Sequence, residues 1–177
     1  MYPNVQSFIT KDTTENFNKE YLRTQDMLLN LLDSPVKTVQ HIGGTGHFNY
    51  PTEPILDLLI GVDNLHDITS LDEKRLNYNC GFYRLHHPYT KKVMMAKFNN
   101  MIALKQMIRL HIIQRDTPLY EQYLFVDTLL KQHPDIAEAF AAQKQKMRDH
   151  ATTIREYETQ KQAYFQTLYK QYAHSNV

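Results

Sequence analysis

The chain has 177 residues, enough for one domain with a buried hydrophobic core. Its 20 basic residues nearly balance its 19 acidic ones, so no general electrostatic field attracts nucleic acid or a membrane surface, and any anion site must be local. A single cysteine excludes an internal disulfide framework and suits a reducing compartment. We find no signal-peptide pattern and no apolar run of the roughly 20 residues that a membrane span needs, which predicts a cytoplasmic protein.

The elements are predicted in the order helix, strand, glycine-rich loop, strand, helix, three strands and three helices. The predicted strands are 37–42, 55–62, 82–86, 92–98 and 105–113. In the last of these, Arg109 and His111 alternate with Ile108, Leu110 and Ile112, so the two sets face opposite sides of the sheet. The order predicts an α+β fold in a single domain, with a sheet part at 1–115 and C-terminal helices at 116–177.

A glycine-rich loop follows the first strand, with the sequence Gly43-Gly44-Thr45-Gly46, and Asp57 lies on the next strand. Glycines allow the backbone to approach a phosphate closely, and a strand carboxylate can hold a magnesium ion. A strand, a glycine turn and a strand carboxylate form the framework of a nucleotidyltransferase site. The alternative is a structural turn in which Asp57 binds a backbone amide, because glycine clusters are weak motifs.

The segment from His41 to Asp57 resembles the signature of the GrpB family, roughly H-I-G-S-T-S-V-P-G-L-P-A-K-P-I-I-D-I, with the same spacing. Similarity continues at 109–112, at 125–134 and at Tyr157 and Lys161, so it covers roughly residues 15 to 170. The resemblance implies a nucleotidyltransferase-like mixed sheet with flanking helices and a C-terminal helical bundle. The resemblance also implies a bacterial protein, and the family's domain occurs fused to dephospho-coenzyme A kinase in some bacteria, which suggests a nucleotide or coenzyme A-like ligand.

Several residues depart from the family pattern. Gly44 replaces a serine, Glu53 replaces a lysine, and Arg109 replaces the first histidine of the family's H-L-H-V. Val126 and Leu130 stand in place of two arginines. Two-metal chemistry needs several carboxylates, but the position two residues after Asp57 holds Leu59. We therefore expect at most one weakly bound magnesium ion at Asp57, and the sequence leaves open whether the protein is an enzyme.

The candidate catalytic residues are Asp57 and His111, which we expect to face the same hollow beneath the glycine turn. Residues that could contact a ligand lie in the loop, on the strands and on the helix after Pro118: His41, Gly43, Gly44, Thr45, Lys97, Arg109 and Asp127. Each also has a structural interpretation, and Arg109 is a candidate partner for Asp127. We expect the run 144–148 to be solvated, the C-terminal tyrosines to belong to the core, and His86-His87 to be too isolated for a metal site.

Three functions fit these residues. The first is a module that binds a nucleotide or another phosphate-bearing ligand without turnover. The second is a weakly magnesium-dependent nucleotidyltransferase acting on a small acceptor. The third is a protein-interaction module whose C-terminal helices dock a partner and whose site is vestigial. Nucleic acid and membranes are disfavoured as partners by the balanced charge and the absence of an apolar span.

Overall fold

The computed structural model describes residues 5–13, 15–68, 70–85 and 91–175. The helices are α1 (Phe17–Leu29), α2 (Ser70–Cys80), α3 (Pro118–Gln132), α4 (Pro134–His150) and α5 (Ile154–Tyr172). The strands are β1 (Val36–Ile42), β2 (Leu56–Val62), β3 (Tyr83–Leu85), β4 (Val93–Phe98) and β5 (Gln106–Gln114). The predicted order of elements is confirmed. The His86-His87 pair lies outside the described residues.

The strands form one five-stranded mixed sheet in the order β1-β2-β5-β4-β3. The two inner strands β2 and β5 are parallel, and the other pairs are antiparallel. Both inner strands are almost entirely buried, which explains why β2 is a nearly continuous apolar run: a strand covered on both faces has no solvent side. The α+β class predicted from the order of elements is therefore confirmed.

One face of the sheet is apolar and is covered by α1 and α2. Its core joins side chains of the inner strands, such as Leu58, Leu110 and Ile112, to Leu28 of α1 and Leu76 of α2. Gly81 ends α2 with a φ of +77°, the left-handed conformation in which glycine commonly closes a helix. We call this side the apolar face.

The opposite face carries polar side chains and is covered by the three C-terminal helices; we call it the polar face. Residues Asp57, Arg109 and His111 lie on it, beside a small apolar cluster that includes Leu59 and Ile113. A further cluster joins α3, α4 and α5 around Phe140. Tyr164, Tyr169 and Tyr172 of α5 pack against this cluster, as predicted, and Tyr157 of the same helix is fully buried outside it.

The sequence places the C-terminal helices sharply. The side-chain oxygens of Thr117 and Thr153 accept hydrogen bonds from the third residue of α3 and α5, and prolines open α3 and α4. The sheet ends at Gln114 and α3 begins at Pro118, so the chain passes directly from the inner strand β5 onto the polar face. Among the described residues, no helix has the length and apolar character that crossing a membrane requires.

Candidate functional site

The glycine turn connects β1 to the polar face. Gly43 has φ +79° and ψ −177°, a conformation that side chains with a Cβ rarely adopt. Its N–H donates a hydrogen bond of 2.7 Å to Oδ1 of Asp127 on α3. Gly44 packs so closely that an added Cβ would lie 2.7 Å from the side chain of Thr52. The serine that the family pattern has at this position would require Thr52 or Tyr50 to move.

Asp57 and Arg109 are partners in the parallel register of β2 and β5, which puts both side chains on the polar face. Arg109 donates from Nε to Oδ1 of Asp57 at 2.8 Å and from a terminal nitrogen to Oδ2 at 3.1 Å. His111, two residues along β5, places Nε2 2.8 Å from Asp57 Oδ1. The alternation of β5 thus brings together the aspartate, the arginine and the histidine that the sequence singled out.

Arg109 also binds α5. Its other terminal nitrogen donates to Oε1 of Glu158 at 2.8 Å, and Lys161 lies 3.1 Å from the second oxygen of that carboxylate. Burial alone would raise the pKa of both carboxyls, but Arg109 reverses this effect. The pKa of Asp57 is held well below its ordinary value, and that of Glu158 falls to about 2. Both groups are therefore carboxylates, joined by one buried guanidinium.

This arrangement does not fit a magnesium ion at Asp57. Both carboxylate oxygens of Asp57 already accept hydrogen bonds from Arg109, and one accepts a further bond from His111. Within the ranges that the structure describes, no group of three or more histidine, cysteine or acidic side chains is placed to hold a metal. A cation at Asp57 would have to displace Arg109.

A cavity of about 50 Å³ lies between the glycine turn, the polar face and the three C-terminal helices. Apolar walls come from residues such as Ile42, Val126 and Phe165. The ionisable residues that line it are Asp57, His111, Tyr50, Tyr123, Asp127, Lys144 and Lys161. Pockets that enclose whole small-molecule ligands measure roughly 300–1,000 Å³, so this cavity has room for a group of phosphate size and not for a nucleoside.

Lys144 corrects the expectation of a solvated run at 144–148. Its side chain is buried, and Nζ donates to Oγ1 of Thr52 at 2.9 Å and to the carbonyl of Pro51 at 3.2 Å. Burial lowers the pKa of Lys144 to about 7, with Lys161 adding to the effect. The available signal was spacing, because Lys144 follows Phe140 by four residues and shares its helix face.

Asp127 lines the cavity as a candidate ligand contact, but its predicted partner was wrong. The carboxylate binds the amide of Gly43, whereas Arg109 is occupied by Asp57 and Glu158. Burial raises the pKa of Asp127 to about 6 against the lowering effect of that amide. The turn and α3 are therefore tied together by a partly buried carboxyl whose pKa is raised to about 6.

Two predicted contacts lie on the wrong side of the sheet. His41 pairs with Leu58 on the apolar face, where its ring lies 5.4 Å from that of Tyr21, and its Nε2 binds Thr45 Oγ1 at 2.9 Å. Neither His41 nor Thr45 lines the cavity among the residues described.

Lys97 pairs with Ile108, and the β4 pleat turns it away from Arg109 towards Gly81.

Other residues of the site had no individual prediction. Lys92 is buried before β4 and donates a hydrogen bond to the hydroxyl of Tyr123, which also accepts one from Gln162 at 3.0 Å. Burial lowers the pKa of Lys92 to about 7. Glu158 is three residues before Lys161, which the sequence offered only as part of a family motif. The sequence alone does not show that an acidic and a basic residue three positions apart on a helix will be shielded from solvent in the folded protein.

The structure resembles that of the conserved protein GrpB from Enterococcus faecalis, with a TM-score of 0.71 and 20% identity over 93% of this chain and 95% of that one. The Cid1 poly(U) polymerase in its MgGTP-bound form aligns with a TM-score of 0.46 and 16% identity, over 84% of this chain and 49% of that one. The first likeness shows a shared fold. The second is too slight to support a conclusion.

Sequence relatives agree. The glutamate-rich protein GrpB of Alkalihalophilus pseudofirmus is 23% identical over 135 residues, which cover 76% of this chain and 77% of that protein. The UPF0157 protein YqkA of Bacillus subtilis is 26% identical over 124 residues, which cover 67% of this chain but 34% of YqkA. The family model described as GrpB protein matches residues 9–171. This chain belongs to the GrpB family.

Proposed function

We propose that this GrpB-family protein binds a small phosphate-bearing ligand, with its phosphoryl group in the cavity between the glycine turn and the C-terminal helices. The observation that carries the proposal is the charge arrangement of this cavity. Lys144 and Lys161 line it, while the carboxylate of Asp57, which would repel an anion, is already neutralised by Arg109. Two lysines therefore face the space and Arg109 offsets the charge of Asp57, while the carboxyl of Asp127, with a pKa raised to about 6, also lines it and loses its charge as the pH falls below that value.

Lys144 has donor capacity for such a ligand. An ammonium group has three N–H bonds, and two acceptors, Thr52 Oγ1 and the Pro51 carbonyl, are within hydrogen-bonding distance of Nζ. A buried ammonium without a counter-anion is costly, and this cost is what lowers its pKa. An anion in the cavity would supply the missing charge, so ligand binding and protonation of Lys144 should be coupled.

The cavity size restricts how a larger ligand would bind. With a volume of about 50 Å³, it can take a phosphoryl group while the remainder of a nucleotide or a coenzyme A-like molecule stays outside. The cavity therefore selects the ligand only through its phosphoryl group. The identity of the group attached to that phosphate depends on surfaces beyond the cavity.

A magnesium-dependent transferase is less well supported, because Asp57 would first have to release Arg109, and Arg109 would then lose its bidentate partner. A protein-interaction role for the C-terminal helices is also less well supported. The apolar side chains of α3, α4 and α5 largely pack against one another or line the cavity. Binding without metal requires no rearrangement of the buried charges, which is why we favour it.

Isothermal titration calorimetry against inorganic phosphate, pyrophosphate, mononucleotides and coenzyme A, with and without EDTA, tests the proposal. We expect binding that EDTA does not weaken. Lys144→Met should reduce affinity about tenfold, the worth of one charge-assisted hydrogen bond. Lys146→Met, on an exposed position of the same helix, is the matched control and should bind normally. Absence of heat for every compound at millimolar concentration would remove the proposal.

A further inference from the structure

His111 has one ring nitrogen whose bonding the site leaves incomplete. Nε2 lies against the Asp57 carboxylate, but Nδ1 is buried and has no hydrogen-bond partner among the described residues. The side chain is 6% exposed, and the residue lines the cavity with Lys144 and Lys161. Buried polar atoms in folded proteins are nearly always paired with protein or ordered water, so an unpaired nitrogen on a residue that lines a cavity leaves a place for a further partner.

The neighbouring groups determine whether this nitrogen donates or accepts. Asp57 is ionised, so the proton between it and His111 lies on Nε2. The groups facing the ring are Asp57 from β2, Arg109 from β5, Lys92 before β4 and Tyr123 from α3. Burial, followed by the charge of Lys92, lowers the pKa of His111 to about 4, which keeps the ring neutral. Nδ1 therefore presents a lone pair.

A lone pair beside an anion site imposes a requirement on the anion. It repels an oxygen that carries no proton and accepts a hydrogen bond from one that does. At neutral pH only about a tenth of a phosphate monoester keeps a proton, because its second pKa is about 6, and the rest must take up a proton as it binds. Sulfate and phosphate diesters carry no such proton. The lysines attract all three anions, so discrimination among them depends on His111.

We propose that His111 Nδ1 makes the cavity selective for an oxyanion that keeps one proton, so that the ligand is a phosphate monoester or inorganic phosphate, and not a diester or sulfate. The proposal rests on the phosphate-binding function above and adds which phosphates are accepted. In this role Asp57 is a positioning residue: its carboxylate fixes the ring so that Nδ1, and not an N–H, meets the ligand.

Calorimetry with methyl phosphate, dimethyl phosphate and sulfate at neutral pH tests this proposal. We expect methyl phosphate to bind at least about tenfold more tightly than the other two. Equal affinity for all three would overturn the selectivity while leaving phosphate binding intact. Failure of all three to bind would overturn both proposals.

The variant His111→Gln sharpens the test. The amide nitrogen of glutamine can still donate to Asp57, but the acceptor at Nδ1 is lost. We expect the preference for methyl phosphate to shrink towards equality, mainly because sulfate and the diester bind better. His47→Gln is the matched control: His47 also has a buried unpaired nitrogen but is not among the described residues lining the cavity, and the preference should stay unchanged. A preference retained in His111→Gln overturns the proposal.

Nitrogen-15 NMR of the wild-type histidines gives a second readout that does not depend on any variant. We expect His111 to carry its proton on Nε2 throughout neutral pH and the Nδ1 resonance to shift when methyl phosphate is added. A ring protonated at Nδ1 in the free protein would overturn the proposal, because the cavity would then present a donor.

Discussion

The two faces of the sheet are built on opposite principles, although they share the same strands. On the apolar face, Leu58, Leu110 and Ile112 are fully buried against α1 and α2. On the polar face, the same strands bury Arg109 and His111 and partly bury Asp57 beneath the C-terminal helices. Burying apolar side chains stabilises a fold, whereas burying a charge pair rarely does more than offset its own desolvation. The first face explains stability, and the second calls for a function.

The largest expected effect comes from breaking the buried charge pair. Arg109→Ala leaves the carboxylates of Asp57 and Glu158 buried without their shared cation, which should cost about 3–5 kcal/mol in the free energy of unfolding. Urea denaturation measures this. The control is Arg115→Ala, which removes an exposed pair with Asp63 and should cost no more than about 1 kcal/mol. Similar costs for the two variants would show that the polar face is not a tightly coupled unit.

A substitution that leaves a void in the core of the apolar face should lower the stability of the protein without changing its affinity for phosphate. Leu110→Ala is expected to lower the free energy of unfolding by about 2–5 kcal/mol. It should leave the affinity for inorganic phosphate unchanged, because Leu110 points away from the cavity. Met107→Ala, on the same strand but half exposed, should have little effect on either measurement. A loss of phosphate affinity in Leu110→Ala would contradict the independence of the two faces.

Gly43 links the turn after β1 to α3 through its hydrogen bond with Asp127. Its backbone conformation should be unfavourable for any other residue. Gly43→Ala is expected to destabilise the protein by about 1–3 kcal/mol, since φ is +79° and the new Cβ would lie 3.3 Å from Oδ2 of Asp57. Thermal unfolding gives the comparison with Gly46→Ala, where the new Cβ would lie 3.7 Å from Cδ2 of His41. Equal melting temperatures would mean that the turn tolerates rearrangement.

The buried lysines should make the free energy of unfolding depend on pH. Their pKa values fall to about 7 in the folded protein, so between about pH 7 and 10.5 the unfolded chain binds more protons than the folded one. Stability from these groups must therefore rise with pH in that window, by at most about 1.4 kcal/mol per pH unit for each group. Lys144→Met should flatten this rise in urea titrations at pH 7 and 9. Lys146→Met should retain it.

The sequence predicts the fold well because the signals for it are local. The alternation in β5 assigns Arg109 and His111 to one face, and the nearly continuous apolar run of β2 marks a strand covered on both sides. The threonines and prolines that begin the C-terminal helices are equally local. Each of these features acts within a few residues, so it can be recognised without knowledge of the tertiary structure.

The site is predicted in part, and the misses have a common cause. His41 and Lys97 sit on the predicted strands, but the register turns both side chains to the apolar face. Lys144 is buried and Glu158 is partly buried by contacts of the helices that no short sequence pattern encodes. Residue type and proximity to a motif are insufficient to assign a side chain to a cavity when its walls come from distant segments.

The ion pair between Arg109 and Glu158 limits how far the protein can fold during its synthesis. These residues are 49 positions apart, and the helix that supplies Glu158 follows the whole sheet in the chain. At a synthesis rate of roughly 5–20 residues per second, the arginine waits several seconds on the ribosome before its second carboxylate exists. Nascent chains arrested before α5 should therefore be cut by proteases much faster than released chains, since the polar face then lacks one of its three covering helices.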